Sequence, residues 1–153
     1  MTNEHHTPAG AALTGLVLEI FRLNGRLLAE GDRLMAGTGL TSARWQVMGA
    51  IHFASKPQTV SWLARNMGLT RQAVQRVVND LEGEGLVAFQ ENPAHRRAQL
   101  VTLTQKGQAA YAGADQRQVP WANDLAEGFD AAELEQALEL LRGIRDRLEA
   151  VRG

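Results

Sequence analysis

The chain has 153 residues, 44% of them hydrophobic, which suits one domain, or one domain with helical extensions, and allows a buried core. Cysteine is absent, which excludes disulfides, thiolate metal sites and thiol-based sensing. The net charge of −1 is unusual for a nucleic-acid binder, but it is segregated: seven Lys and Arg against four Asp and Glu leave residues 56–106 at +3 and the remainder at −4.

Residues 1–10, MTNEHHTPAG, are polar and read as a disordered tail. They lack the basic region and apolar core of a secretion signal, and no apolar run in the chain approaches the ~18 residues of a membrane span. A cytoplasmic protein without membrane contact is expected. His5 and His6, adjacent on a tail, are not expected to hold a metal. From Ala11 a long helix is predicted, with Leu13, Leu16, Val17, Ile20, Leu23 and Leu27 on one stripe. It should end near Gly37 to Gly39. Because that stripe has no local neighbour, it is expected to pack on the C-terminal helix and on a second subunit. A further helix starts at Leu40-Thr41-Ser42, with Thr41 or Ser42 as cap. Along it Trp45, Met48, Ile51 and His52 fall about one turn apart, as core packing requires.

The stretch from Thr59 to Val87 has the most pronounced pattern. Val60, Leu63, Ala64 and Met67 form one helical stripe, Thr59 is placed to cap it, and Gly68 can end it in the left-handed conformation. Gly68-Leu69-Thr70 is the turn length of a helix-turn-helix unit. In the second helix Ala73, Val74, Val77, Val78 and Leu81 are expected to face inward. Gln72, Gln75, Arg76 and Asn79, spaced i, i+3, i+4 and i+7, share the opposite face. An isolated helix with such a face is usually just solvated. Here the side chains are those whose paired donors and acceptors match base edges, Arg to guanine and Gln or Asn to adenine. Gln72, Gln75 and Arg76 are expected to reach bases, while Thr70, Arg71 and Asn79 hold phosphates.

A hairpin follows from Leu86 to Thr104. Two apolar, Thr-containing runs flank a loop that holds Asn92, Pro93, Ala94, His95, Arg96, Arg97 and Ala98. Arg96 and Arg97 at its tip suit a minor groove or neighbouring phosphates. A helix-turn-helix followed by a basic hairpin is a winged helix. Beyond it Thr104 caps a helix that carries Tyr111, and Pro120 is expected to kink or break that helix, next to Trp121. Asp130 with Glu133 resembles a capping box at the start of a last helix. There Leu134, Leu138, Leu141, Ile144, Leu148 and Val151 step by three or four residues, as in a dimerising bundle.

The block from Leu40 to Gly107 resembles the MarR family, the multiple-antibiotic-resistance type of bacterial transcription regulators. The resemblance rests on LTSARWQVMGAI, LARNMGLTRQAVQRVVNDLEGEGLV and RRAQLVTLTQKG in that order, within a block that covers just under half the chain. It implies a mainly α fold with a small β-hairpin wing. Residues 40–106 would form the winged helix-turn-helix domain, and 11–36 and 107–153 the dimerisation helices, within one domain from 11 to 153. It also implies a homodimer on palindromic double-stranded DNA, leaning towards repression and often released by a small molecule. Effectors of that family often bind between the second helix and the dimerisation helices, where Arg44, Trp45, His52 and Phe53, with Met48 beside them, would offer a cation, two aromatics and a polar hook to an aromatic acid. One position departs from the pattern. The family commonly carries Asp two residues before the minor-groove Arg, here Arg97, and this chain has His95. An imidazole cannot brace the guanidinium as a carboxylate does; if charged, it adds a phosphate contact of its own.

No glycine-rich phosphate loop, His-Glu-x-x-His pair or nucleophile elbow occurs, so no enzyme, metal or cofactor is expected. A winged helix that binds protein instead of DNA is the competing reading. It would call for exposed apolar side chains where Gln72, Gln75, Arg76 and the wing arginines stand.

Overall fold

A computed structural model describes residues 5–152. Among these lie six helices and a three-stranded antiparallel sheet: α1 Pro8–Leu34, α2 Ser42–Phe53, β1 Gln58–Thr59, α3 Val60–Met67, α4 Arg71–Gly83, β2 Val87–Gln90, β3 Leu100–Leu103, α5 Gln105–Ala126 and α6 Ala131–Ala150. The chain divides into two compact units after Arg117, so that α5 begins in the first and ends in the second.

Threonine side chains start most helices of the first unit. Thr41 accepts from the Arg44 amide, Thr59 from that of Trp62, Thr70 from that of Ala73 and Thr104 from that of Gly107, at 3.0–3.2 Å. Each bond satisfies an amide that the helix itself cannot pair. Ser42, the other candidate cap of α2, is instead buried, donating from Oγ to the Leu28 carbonyl. Gly68 ends α3 at φ +67, as expected. Gly85, at φ +74, ends α4 in a Schellman motif: the Leu86 amide bonds the Leu81 carbonyl and the Gly85 amide that of Glu82.

The stripes of α3 and α4 meet in one core. Val60, Leu63, Ala64, Val74, Val78 and Leu81 pack with Val47 and Met48 of α2, Val87 and Val101 of the sheet, and Tyr111 of α5. Ala73, expected to face inward, is exposed. It sits in the first turn of α4, where the stripe has not yet reached the core. The sheet order is β1-β3-β2, with Phe89 opposite Val101 on one side and Gln58 opposite Val101 on the other. β1 has no counterpart in the sequence pattern: two residues are too few for an alternation to show.

Two boundaries differ from expectation. The tail expected over 1–10 gives way to helix at Pro8, where proline's missing N–H costs nothing at the first helical position and Thr7 accepts from the Gly10 amide at 3.0 Å. Residues 1–4 of that tail lie outside the described residues. α5 is not broken at Pro120 but runs through it to Ala126. Proline forgoes a single i→i−4 bond and its locked φ is helical, so the flanking turns carry the helix on.

In the second unit Asp130 caps α6 by accepting from the Ala132 amide at 3.2 Å, and Arg142 pairs with Glu139 at 2.7 Å. No described residue of α6 is buried; Leu134, Leu138, Leu141 and Leu148 are exposed. In the first unit α1 likewise leaves Leu13, Leu18, Phe21, Leu23 and Leu27 exposed, Phe21 at 70%.

Candidate nucleic-acid interface

The inward face of α4 is fixed by Val74, Val78 and Leu81, which are fully buried, and this turns Gln72, Arg76 and Asn79 to solvent with Gln75 half-buried between them. The Gln75 side-chain amide donates to Asn79 Oδ1 at 2.9 Å. Both amides are thereby held in register along the helix, and the Gln75 oxygen and the Asn79 NH₂ stay available. Thr70 begins the helix as its cap, so its hydroxyl oxygen is already engaged. Arg71, Gln72, Gln75, Arg76 and Asn79 line one open concavity.

The wing meets this surface. Arg71, Gln75 and Asn79 of α4 line a second cleft of about 250 Å³ together with Ser61 of α3, Phe89 of β2 and Arg97 and Gln99 of the wing. Arg71 and Arg97, far apart in sequence, therefore border one space. No ion pair engages Arg71, Arg76, Arg96 or Arg97 among the described residues. Two guanidinium groups bordering a cleft with no carboxylate in its lining can accept an anion there, and their planar forks suit phosphate oxygens. Arg96 is exposed on the loop but does not border the cleft.

The wing tip is built on Asn92, whose side chain accepts from the Ala94 amide at 3.1 Å and donates to the Ala98 carbonyl at 2.9 Å. His95 supplies its backbone to two turns of the tip, donating to Asn92 and accepting from Ala98. Asn92 thus orders the loop that presents Arg96 and Arg97. Ser61 and Gln99 also line the cleft that Arg71 and Arg97 border, and sequence pattern missed both. Ser61 sits on the polar side of a short helix, and Gln99, though inside the RRAQLVTLTQKG stretch, has neither charge nor periodicity to single it out.

Of the candidate effector residues, Arg44, Trp45, Met48 and His52 are not brought together. Met48 is fully buried in the core, and Trp45 packs against it half-buried. Arg44 is engaged with α4, donating to Glu84 Oε1 at 2.8 Å. His52 alone borders a cavity, of about 590 Å³, whose walls include Lys56, Val101, Gln108, Tyr111 and Asp115. Its imidazole stacks on the Tyr111 ring with centroids 4.6 Å apart. Burial, with the Asp115 charge adding to it, holds the Tyr111 phenol above its usual pKa. The four differ in their place along α2: Met48 points into the core, Arg44 is held at the start of the helix by Glu84, and His52 is exposed at its other end beside the cavity.

Comparison with known proteins agrees with the geometry. A model of the MarR family matches residues 38–98. A Mycobacterium tuberculosis protein is 37% identical over 137 residues, spanning 90% of this chain and 94% of its own. The fold is similar to that of the transcriptional regulator BldR from Sulfolobus solfataricus, with a TM-score of 0.81 and 23% identity over 93% of this chain and 99% of that one. It is also similar to the transcriptional repressor CouR bound to a 23-mer DNA duplex, with a TM-score of 0.74 and 24% identity over 94% and 99%. CouR from Rhodococcus jostii RHA1 bound to p-coumaroyl-CoA matches at the same TM-score and identity over 86% and 90%. On its winged-helix fold, its motif block and this family match, the chain belongs to the MarR family of transcription regulators.

Proposed function

We propose that the protein is a homodimer that binds palindromic operator DNA in the cytoplasm and represses transcription until a small aromatic effector releases it. The observation that carries the reading is the pair of arginines without carboxylate partners, Arg71 and Arg97, converging beside the Gln72, Gln75 and Arg76 face. On this reading α4 lies in the major groove, where Gln72, Gln75 and Arg76 read base edges. Thr70, Arg71, Asn79 and Ser61 hold the backbone, and Arg96 and Arg97 extend the contact to the flanking minor groove. The likeness to a repressor solved on DNA supports the docking mode. The exposed leucines of α1 and α6 support association through those helices.

The effector would occupy the cavity beside His52. The stacked His52 and Tyr111 rings suit an aromatic group, and Lys56 supplies a cation for an acid, with Asp115 restricting where that acid can lie. The likeness to CouR with p-coumaroyl-CoA supports an aromatic acyl compound or its parent acid.

Binding to a mixed-sequence duplex across a salt series tests the interface. Wild-type affinity should fall steeply with salt, and the Arg71→Ala/Arg97→Ala double variant should flatten the log–log slope by ~0.9 for each phosphate no longer neutralised. An unchanged slope in the double variant would remove the two arginines from the interface.

A further inference from the structure

Arg44, which the family resemblance offers as a cation for an effector, stands at the C-terminal end of α4, away from Gln72 in its first turn. It lies in the first turn of α2, and its Nη1 donates to Glu84 Oε1 at 2.8 Å and to the Gly39 carbonyl at 2.9 Å, while Nη2 lies 4.0 Å from Asp80 Oδ2. The guanidinium is drawn in, with its side chain only 22% exposed. Asp80 and Glu84 are one turn apart at the C-terminal end of α4, so one cation spans both. From the opposite side Lys106 Nζ donates to the Glu84 carbonyl at 2.8 Å, and the Thr104 hydroxyl donates to that of Gly85 at 2.6 Å. Positive charge is favoured at that helix end by the macrodipole. The ion pairs on α1 and α6 each join residues of a single helix, whereas that of Arg44 joins two elements.

We infer that Arg44 is a positioning residue for sequence reading: it sets the angle of α4 and touches no DNA itself. The inference rests on the reading of α4 as the recognition helix. Twelve residues separate Glu84 from Gln72, a lever of roughly 18 Å at the helical rise. A tilt of about 5° at the anchored end moves the Gln72 backbone by roughly 1.5 Å, more than the tolerance of a hydrogen bond. Phosphate contacts from flexible arginines absorb such a shift, but two-point contacts to base edges do not. An ordinary exposed ion pair would contribute little. This one differs in being drawn in, shared between two carboxylates and joined to a backbone carbonyl.

The test uses a duplex enriched from a random library and a scrambled version, each titrated over a salt series. Arg44→Ala should weaken binding to the enriched duplex about tenfold or more. Affinity for the scrambled duplex should stay within about twofold, and the salt slope should not change, because the same phosphates remain neutralised. Arg44→Lys, which keeps a cation for Glu84 and a donor for the Gly39 carbonyl, should recover part of the loss, and Glu84→Gln should fall between wild type and Arg44→Ala. Those two variants keep the question answerable if Arg44→Ala fails to fold. An unchanged affinity for the enriched duplex in all three variants overturns the inference. Equal loss on both duplexes with a flatter slope also overturns it, making Arg44 a phosphate ligand. A wild-type protein that enriches no duplex overturns the recognition reading instead, and this inference with it.

Discussion

Arg71 and Arg76 stand little more than one turn apart on α4, and the proposed reading gives them different work. Both line the open concavity with Gln72 and Gln75, but Arg71 alone of the two also borders the cleft shared with Arg97. Arg76→Ala should cost ~1–3 kcal/mol on the operator and relax the preference at one base pair, while Arg71→Ala should weaken all sequences alike. Competition titrations with single-base operator variants separate the two; equal loss on operator and scrambled DNA for Arg76→Ala would sink its role in base reading. Tyr111 gives a second handle, because it is the one tyrosine in the sequence. Its raised pKa keeps it protonated in the folded state at a pH where the unfolded chain ionises. Stability is therefore intact below pH ~10 and declines as pH rises from there towards the folded value. Absorbance titration of the phenol should show a later midpoint for the native protein than in denaturant; coincident midpoints would contradict its burial. Thr59 and Thr104 are legible as caps because capping depends on local spacing, whereas Thr70, expected only to hold a phosphate, caps α4 as well. The role of Arg44 is not legible, because its partner Glu84 lies forty residues away and only the packing of α2 on α4 brings them together.

At the scale of elements, the recognition helix and wing are readable because each satisfies a local rule: a 3.6 period on α4, and a Pro- and Asn-marked loop between β-rich runs. Their mutual placement is not readable. It depends on the junction where α5 leaves the wing, and there Gly107 packs so tightly that a Cβ would collide with the Leu86 carbonyl oxygen. Gly107→Ala should destabilise the fold by ~1–3 kcal/mol through overpacking of backbone against backbone. Urea unfolding measures this directly, and a midpoint equal to wild type would mean that the junction relaxes freely. The same logic explains α5. Pro120 is a strong local stop signal, but one missing hydrogen bond does not outweigh the continuing helix on either side. The cavity beside His52 escapes the sequence for a related reason: its walls come from α2, the following loop, β3 and α5, which no single stretch of chain reveals.

For the whole molecule, charge and apolar surface point to the same architecture. Positive charge collects in residues 56–106, and most of the exposed leucines lie on α1 and α6, outside that segment, Leu69 and Leu125 apart. A dimer formed by those helices would present two recognition helices at once and double the modest positive charge of one chain. Sedimentation velocity should give a species of twice the 16.7 kDa chain mass, and Phe21→Asp with Leu18→Asp should shift it towards monomer and weaken operator binding with it. A wild-type monomer at all concentrations would refute the dimer.

Affinity selection of the purified protein against a random duplex library at physiological salt is the most direct measurement of the central claim. Enrichment of an inverted repeat is expected, with half-sites about one helical turn, ~10 base pairs, apart. Uniform binding that vanishes with added salt, or no enrichment of any sequence, would contradict it, leaving at most phosphate attraction where base reading is claimed.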